Sequence, residues 1–213
     1  MSTVLTVADT VTGVLDLNTE SLSDVQTQAI STWVTKSTLT NSYRGIVWSP
    51  ELEIFCAVGH SGTLNNVMTS SDGLTWTSRT TPNNNNLLAV TWSPELGLFA
   101  ACGNSGSNNR VQTSSDGITW IARTTNSNSW YGIDWSPQLG LFAACSHATG
   151  TGFMTSPDGI TWTTQDSGST YNWYNITWIP DLGKFVSTGF YSTNDKIATS
   201  TDGIEWTIQT IPV

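Results

Sequence analysis

The sequence predicts an all-β fold, a single small β-propeller, from three observations. Tryptophans recur at intervals of 42 to 44 residues, and a second tryptophan series keeps the same interval. Between them, short apolar runs alternate with turn-forming Pro, Gly, Asp and Asn residues. A fixed period in the low forties, built from short strands, is typical of a propeller or a solenoid. The two series are Trp33, Trp76, Trp120, Trp162 and Trp206, and Trp48, Trp92, Trp135 and Trp178.

One repeat, residues 86–124, contains the elements of a blade. Residues 87–92 form a short apolar strand, and the Ser-Pro-Glu-Leu-Gly segment 93–97 is a turn, because proline fixes φ and glycine accepts positive φ. Residues 98–102 are almost wholly apolar, which predicts a strand buried on both faces. After a loop at 103–109, strands at 110–114 and 118–123 flank a tight Ser-Asp-Gly turn. Four antiparallel strands in one repeat predict one propeller blade.

The number of blades depends on the N-terminal segment. Residues 12–15 and 25–27 align with 96–99 and 111–113 of a full repeat, and Trp33 then takes the fourth-strand position. We therefore predict one domain of five four-stranded blades, the first degenerate, with boundaries near 1–37, 38–80, 81–124, 125–166 and 167–213. The alternative is a four-bladed ring preceded by an N-terminal anchoring arm.

Composition and charge exclude some partners and favour others. Only 11% of the residues are charged, and the formal net charge is −9. An acidic surface of this kind repels nucleic acid and anionic lipid. Residues 1–12 lack the features of a conventional signal peptide, and no apolar stretch is long enough to span a membrane. The polar surface, rich in Ser, Thr and Asn, suits an extracellular protein or a virion component released with an assembled particle.

Three cysteines, Cys56, Cys102 and Cys145, are predicted to be small buried apolar residues. They form no Cys-x-x-Cys pair, and the last two share one repeat position. Equivalent positions in adjacent blades lie beyond the reach of a disulfide.

An Asp-Gly turn, preceded by Ser in two repeats, by Pro in the third and by Thr in the fourth, ends each full repeat, two residues before a Thr-Trp or Glu-Trp pair. The carboxylate accepts hydrogen bonds from backbone N–H groups, and glycine supplies the left-handed conformation. The motif resembles the Asp-box, or BNR repeat, of sialidase-like propellers, although one residue is missing between Asp and Gly. In that family the motif is structural, so the resemblance implies a turn-holding role and no catalysis. The residues concerned are Asp72, Gly73, Asp116, Gly117, Asp158, Gly159, Asp202 and Gly203.

The sequence does not predict an enzyme, a metal site or a cofactor. Sialidases bind the substrate carboxylate with three arginines, whereas this chain has four arginines in all, and Arg79 and Arg123 occupy repeated outer-strand positions. His60 and His147 share one repeat position without further metal ligands around them, and we interpret them as polar loop residues. No nucleophile elbow, phosphate loop or dinucleotide fingerprint is present.

Ligand binding is predicted on the face where the repeats differ. The Pro-Glu and Ser-Asp-Gly turns of one face are nearly identical from repeat to repeat, whereas the loops of the other face vary. Aromatic residues beside Asn and Ser on those loops suit neutral sugars, because a flat ring packs on the sugar face while amides bond the hydroxyls. The alternative is that these aromatic side chains fold inward. The candidates are Tyr43, Arg44, Trp130, Tyr131, Trp173 and Tyr174.

These repeats also resemble those of tailed-bacteriophage tail fibres and decoration proteins. We therefore expect a non-enzymatic virion surface protein that binds cell-surface glycans through the variable loops. The alternatives are a purely structural decoration protein that contacts other virion proteins, a free lectin and a degenerate glycosidase. A homo-oligomer within an assembly is also compatible with the sequence.

Overall fold

The computed structural model describes residues 42–60, 64–147, 151–191 and 194–209. The chain divides into two units, Met1–Thr38 and Leu39–Val213, and every described residue belongs to the second unit. The predicted degenerate blade at 1–37 lies outside the described residues, so the choice between five blades and four blades with an arm stays a prediction.

Four antiparallel sheets of four strands form the described fold, and each sheet is one blade with its strands in sequence order. We name the blades A to D. Blade A contains β1 Ser42–Ser49, β2 Ile54–His60, β3 Val67–Ser70 and β4 Thr77–Arg79; blade B contains β5 Leu87–Ser93, β6 Leu98–Gly103, β7 Val111–Ser114 and β8 Ile121–Arg123. Blade C contains β9 Trp130–Ser136, β10 Leu141–Ser146, β11 Phe153–Ser156 and β12 Thr163–Gln165; blade D contains β13 Asn172–Ile179, β14 Lys184–Tyr191, β15 Asn194–Ser200 and β16 Thr207–Gln209. A 3-10 turn, Pro180–Leu182, joins the first two strands of blade D. The predicted all-β propeller fold is confirmed.

The second strands of blades B and C lie between neighbouring sheets. In β6 every residue after Leu98 is buried, as its continuous apolar sequence predicts. Three apolar clusters form the core, and each contains residues of two consecutive blades. The core is therefore a series of interfaces between blades, and the blades depend on their neighbours for burial.

Small residues allow the first strands to approach one another. A side chain at Gly45 would meet the backbone of Ala89 at 3.0 Å, and one at Gly132 would meet the backbone of Ile176 at 3.0 Å. The first strands are thus crowded where Gly45, Ala89 and Gly132 lie. Successive first strands contact one another in the order β1, β5, β9 and β13.

Each Asp turn is held by the same set of hydrogen bonds. In blade B, Asp116 Oδ1 accepts from the backbone N–H groups of Ile118 and Thr119, both at 2.7 Å, and from the Ser114 hydroxyl at 2.9 Å. Gly117 has a φ of +71°, which favours glycine, and its carbonyl accepts from Trp120 Nε1. The same bonds recur around Asp72, Asp158 and Asp202. The Asp turn is consequently a local structure whose carboxylate is already occupied.

The tryptophans after the Asp turns of blades B, C and D pack between blades. Trp206 of blade D stacks on Phe153 of blade C with ring centroids 3.6 Å apart. Trp120 lies in the cluster shared by blades A and B.

The first-strand tryptophans form a second repeated contact between blades. Trp92 Nε1 donates to Glu51 Oε2 at 2.6 Å, and Trp135 Nε1 donates to Glu95 Oε2 at 2.7 Å. In the next interface Trp178 Nε1 donates to Gln138 Oε1 at 2.6 Å. The turn between the first two strands of blades A, B and C thereby accepts a hydrogen bond from the indole of the following blade.

The three cysteines are free and fully buried, which confirms their prediction as apolar core residues. Burial raises the pKa of the Cys145 thiol to about 12, and burial also raises the pKa values of the Cys56 and Cys102 thiols. Within the described part of the chain, no helix has the length and apolar character that crossing a membrane requires.

Candidate ligand-binding face

A β-bulge recurs at one position in all four first strands. Between each first and second strand the register shifts by one residue, which leaves one residue of the first strand without a partner. A bulge kinks a strand and redirects the extra side chain. The bulged residues are Arg44, Leu88, Tyr131 and Tyr174. Three of these four residues are ligand-binding candidates of the sequence, and the bulge puts them at equivalent places in successive blades.

In blades B, C and D the residue before the bulge points into the core, and this corrects two candidates. Trp130 and Trp173 are fully buried in the interfaces between blades B and C and between blades C and D. Trp173 packs against Phe153 with ring centroids 5.4 Å apart. Consecutive residues of a strand face opposite sides, so of each adjacent aromatic pair only the second is directed away from the core. Trp130 and Trp173 are therefore core residues, as the inward-folding alternative proposed.

Tyr131, Tyr174 and His147 form a cluster of three rings across blades C and D. The ring centroids of Tyr131 and Tyr174 are 5.5 Å apart in an edge-to-face arrangement. His147 lies 5.4 Å from Tyr131 and 5.3 Å from Tyr174. We call these three residues the aromatic cluster. Tyr174 is 43% exposed, whereas Tyr131 and His147 are half-buried.

Blade geometry places His147 beside the two tyrosines. His147 follows β10 directly, and its backbone N–H donates to the Ser129 carbonyl at 2.9 Å. It also forms a β-bridge with Asn172, two residues before Tyr174. His147, predicted from the sequence to be a polar loop residue, is thus also a member of the aromatic cluster. The available signal was its repeat position, which follows the second strand just as Asn104 does in blade B.

Asn104 adds a polar group to the edge of the aromatic cluster. Its Nδ2 donates to Tyr131 Oη at 3.5 Å, from the equivalent position of the preceding blade. Phe190 holds that position in blade D and is 41% exposed. Amide, phenol and imidazole groups consequently meet at the ends of the second strands of blades B and C.

Tyr43 and Arg44 belong to the same face but lie in blade A. Tyr43 is half-buried opposite Gly59, and Arg44 is exposed at its bulge. The ring contacts of the aromatic cluster join blades C and D and include neither residue. The six sequence candidates thus separate into a buried pair, an aromatic pair within the cluster and a pair in blade A.

Many asparagines of the variable face have structural partners. Asn85 Nδ2 donates to the Asn109 carbonyl at 2.7 Å, and the buried Asn66 donates to the Asn85 carbonyl at 2.7 Å. Asn128 Nδ2 donates to Thr151 Oγ1 at 2.6 Å. These amides connect the links between blades to the neighbouring loops. They make the scaffold of this face rigid and leave fewer amides for a ligand than the composition suggests.

One cation stands between the second and third blades on this face. Arg110 Nε donates to the Gly106 carbonyl at 2.8 Å, and its Nη1 donates to Ser129 Oγ at 3.3 Å. Partial burial lowers the pKa of the Arg110 guanidinium from its ordinary value. The group is nevertheless charged, because arginine is a very strong base. Arg79 and Arg123 instead lie on the outer strands, as their repeat positions predict, and donate from Nε to the hydroxyl oxygens of Thr69 and Thr113. Among the residues that the structure describes, His, Cys, Asp and Glu form no group of three that could hold a metal ion.

The aromatic cluster is chemically suited to a neutral, flat or ring-shaped ligand. Its exposed ring edges offer apolar contact, and Tyr131 Oη, Tyr174 Oη and the His147 ring nitrogens offer hydrogen bonds.

The fold is that of known β-propellers, and the likeness is structural. No protein-family model matches the chain, and no curated protein matches its sequence. A streptogramin B lyase superposes with a TM-score of 0.66 at 15% identity over 83% of this chain and 57% of that chain. A catalytically inactive virginiamycin B lyase from Staphylococcus aureus with quinupristin gives a TM-score of 0.66 at 17% identity over 84% and 59%. A nidogen/laminin complex gives 0.61 at 11% identity over 79% and 64%.

These comparisons show that the chain is a β-propeller repeat protein. The chain spans less than three fifths of the length of the matched lyases. At this identity the likeness carries the fold alone, and the chemistry of the lyases is not transferred with it.

Proposed function

We propose that this protein is a non-enzymatic binding protein that recognises neutral glycans through the aromatic cluster. The observation that carries the proposal is the packing of Tyr131, His147 and Tyr174 from two blades at one place on the variable face. Their rings have exposed area for the apolar side of a sugar, and Asn104 stands next to Tyr131 as a hydrogen-bonding amide. A rigid scaffold that carries variable loops is a common arrangement for binding sites.

The electrostatics of the chain agree with a neutral ligand. The net charge of −9 disfavours anionic glycans at long range, and sugar hydroxyls need neutral donors and acceptors. The rings also lose little conformational freedom on binding, because each already contacts the other two.

A glycan-array screen of the full chain tests this proposal, followed by affinity measurements on the strongest glycan. Tyr174→Ala and Tyr131→Ala are each expected to weaken binding about fivefold, since a ring contact contributes roughly 1 kcal/mol. Ile160→Ala is the matched control, because Ile160 is similarly exposed but lies on the Asp turn of the opposite face of blade C. A chain that binds no glycan, or variants that bind as well as the unaltered chain, would contradict the proposal.

The absence of catalysis is tested separately. Quinupristin is the compound named with one of the matched lyases, so it is the first substrate to try. We expect its mass to remain unchanged after incubation with the full chain and divalent cations. Turnover that depends on the protein would overturn the non-enzymatic part of the proposal.

We further propose that the protein works on the surface of a phage particle. The support is the resemblance of its blades to tailed-bacteriophage repeats and a surface with few charges. Mass spectrometry of purified particles is the test, and its result separates three functions when it is combined with the glycan screen. Presence in particles with glycan binding supports an adhesin, presence without glycan binding supports a decoration protein, and glycan binding without presence in particles supports a free lectin.

A further inference from the structure

Every interface between blades joins the same two kinds of face. The following blade contributes an aromatic face, made from its first-strand Trp, its second-strand Phe and the Trp after its Asp turn. The preceding blade contributes a face of small apolar residues. In the first interface, Cys56, Val58 and Val67 of blade A meet Trp92, Phe99 and Trp120 of blade B. The second interface repeats this pairing, and the third repeats it with Phe153 in place of the valine.

Blade A has the aromatic face but no described blade before it. Ile46 is 61% exposed, whereas its equivalent Val90 in blade B is 8% exposed. Trp48 is 39% exposed, whereas Trp92 is 7% exposed. The first face of the repeat array therefore presents large apolar side chains to solvent.

Blade D has the small-residue face but no described blade after it. Thr188 is exposed, and Val186 is half-buried. The equivalent residues of the other blades are completely buried, and they are Cys56, Val58, Ala100, Cys102, Ala143 and Cys145. Blade D thus exposes the kind of surface that an aromatic face covers at each of the three interfaces between described blades.

The two ends also carry the donor and acceptor positions of the indole hydrogen bond that joins neighbouring blades. Asp181 occupies the turn position at which Glu51, Glu95 and Gln138 accept from the next blade, and its side chain is exposed. Trp48 occupies the position of the donor indole. The apolar surface and the hydrogen-bonding group of one end are therefore complementary to those of the other end.

We infer that blade D of one copy docks on blade A of a second copy, head to tail, and forms a fourth interface like the three internal ones. The second copy is the occupant that the repeat favours, because it carries the surface that already fits. The matched propeller chains are longer, and more than a third of each lies outside the match. The matched part of this chain hence corresponds to part of such a propeller chain. Because the contact joins two different faces, it closes into a ring or extends into a filament.

The test is the solution mass of the full chain by sedimentation and light scattering over a wide range of concentrations. We expect the unaltered chain to form oligomers. Ile46→Asp blocks the aromatic face and Thr188→Arg blocks the small-residue face, so each variant alone is expected to be a monomer. An equimolar mixture of the two is expected to form dimers only, since one intact face of each kind remains. Ile160→Asp is the control for adding a charge at an exposed isoleucine.

Thermal unfolding of each variant establishes that it is folded before its mass is interpreted. A monomeric unaltered chain would overturn the inference and favour the prediction that residues 1–37 supply the blade next to blade A. Variants that associate like the unaltered chain would also overturn it, because they would place the contact elsewhere. Dimers in the mixture alone would establish the head-to-tail contact.

Discussion

Asp134 Oδ2 accepts a hydrogen bond at 2.8 Å from the backbone N–H of Trp178, 44 residues further along the chain. Its Oδ1 accepts at 3.0 Å from the Thr91 hydroxyl, 43 residues earlier. Both oxygens of one carboxylate are therefore occupied by the first strands of the preceding and following blades. Asp134 connects three blades at their closest approach and has a structural role.

Replacing Asp134 is expected to destabilise the fold. Asp134→Ala leaves the Trp178 N–H and the Thr91 hydroxyl without their acceptor, and we expect a loss of about 3 kcal/mol in the free energy of unfolding. Asp166→Ala is the control, because Asp166 accepts one local bond from Gly168 at an exposed site. Its expected loss is about 1 kcal/mol or less. Urea unfolding measures both, and equal losses would contradict the role of Asp134.

The Asp turns predict a loss of stability in acid. Hydrogen bonds from the backbone N–H groups of Thr75 and Leu74 and from the Ser70 hydroxyl lower the pKa of Asp72 from 3.8 to about 2. Burial raises the pKa of Asp116, but hydrogen bonds from the Thr119 and Ile118 N–H groups outweigh it and the net pKa is lowered. Asp158 and Asp202 behave in the same way.

Because the carboxylates are more acidic when the chain is folded, their contribution is complete above the unfolded pKa and is lost as the pH falls toward the folded one. For Asp72 this window runs from 3.8 down to about 2. A variant with Asn at all four turn positions is expected to show a weaker pH dependence of unfolding in this window. Glu53→Gln, which removes an exposed carboxylate outside the Asp turns, should keep the full pH dependence of unfolding. An unchanged slope in the fourfold variant would disprove the assignment.

Glu95 should tolerate glutamine but not leucine. Trp178 already donates to a glutamine, Gln138, at the position where Trp135 donates to Glu95. Glu95→Gln therefore preserves the acceptor, and we expect a change in the free energy of unfolding of about 0.5 kcal/mol or less. Glu95→Leu leaves the indole N–H of Trp135 without its acceptor, at an expected loss of about 1–3 kcal/mol. Thermal unfolding compares the two, and equal stability of both variants would show that this hydrogen bond contributes nothing.

Gly103 is predicted to be intolerant of any side chain. A Cβ at this position would collide with the carbonyl group of Asn86, on the link that leads to the bulge at Leu88. Gly103→Ala is expected to reduce stability by about 2 kcal/mol through overpacking. Ser146 occupies the equivalent position in blade C, and Ser146→Ala loses only a hydrogen bond to the Thr151 carbonyl. A Gly103→Ala variant as stable as Ser146→Ala would show that the backbone relaxes around the new methyl group.

Local features of the fold were predictable because their causes are close together in the chain. The Asp turn from Ser70 to Trp76 contains all of its donors and acceptors within seven residues, so the motif alone specifies it. The four strands per repeat also follow from alternation and turn residues within one period. The burial of Cys102 and Cys145 follows from their place in an apolar strand.

The candidate site was only partly predictable, because it depends on a register shift. Trp130 and Tyr131 are adjacent aromatic residues, and the sequence does not say which one points to the core. The bulge in β9 decides this, since it buries Trp130 and turns Tyr131 toward His147 and Tyr174. His147 becomes part of the cluster only because blade C places the end of β10 beside the first strand of blade D.

The sequence by itself determined the repeat, the strands and the turns, because each is caused by residues within a few positions of one another. Tertiary structure alone decided that Asp134 bonds three blades, that Tyr131 and Tyr174 share a surface and that the faces of blades A and D are exposed. The first two are contacts between residues about one repeat apart, and the exposed faces lie at the two ends of the described array. Their distances depend on how successive sheets pack, and no local pattern encodes that packing.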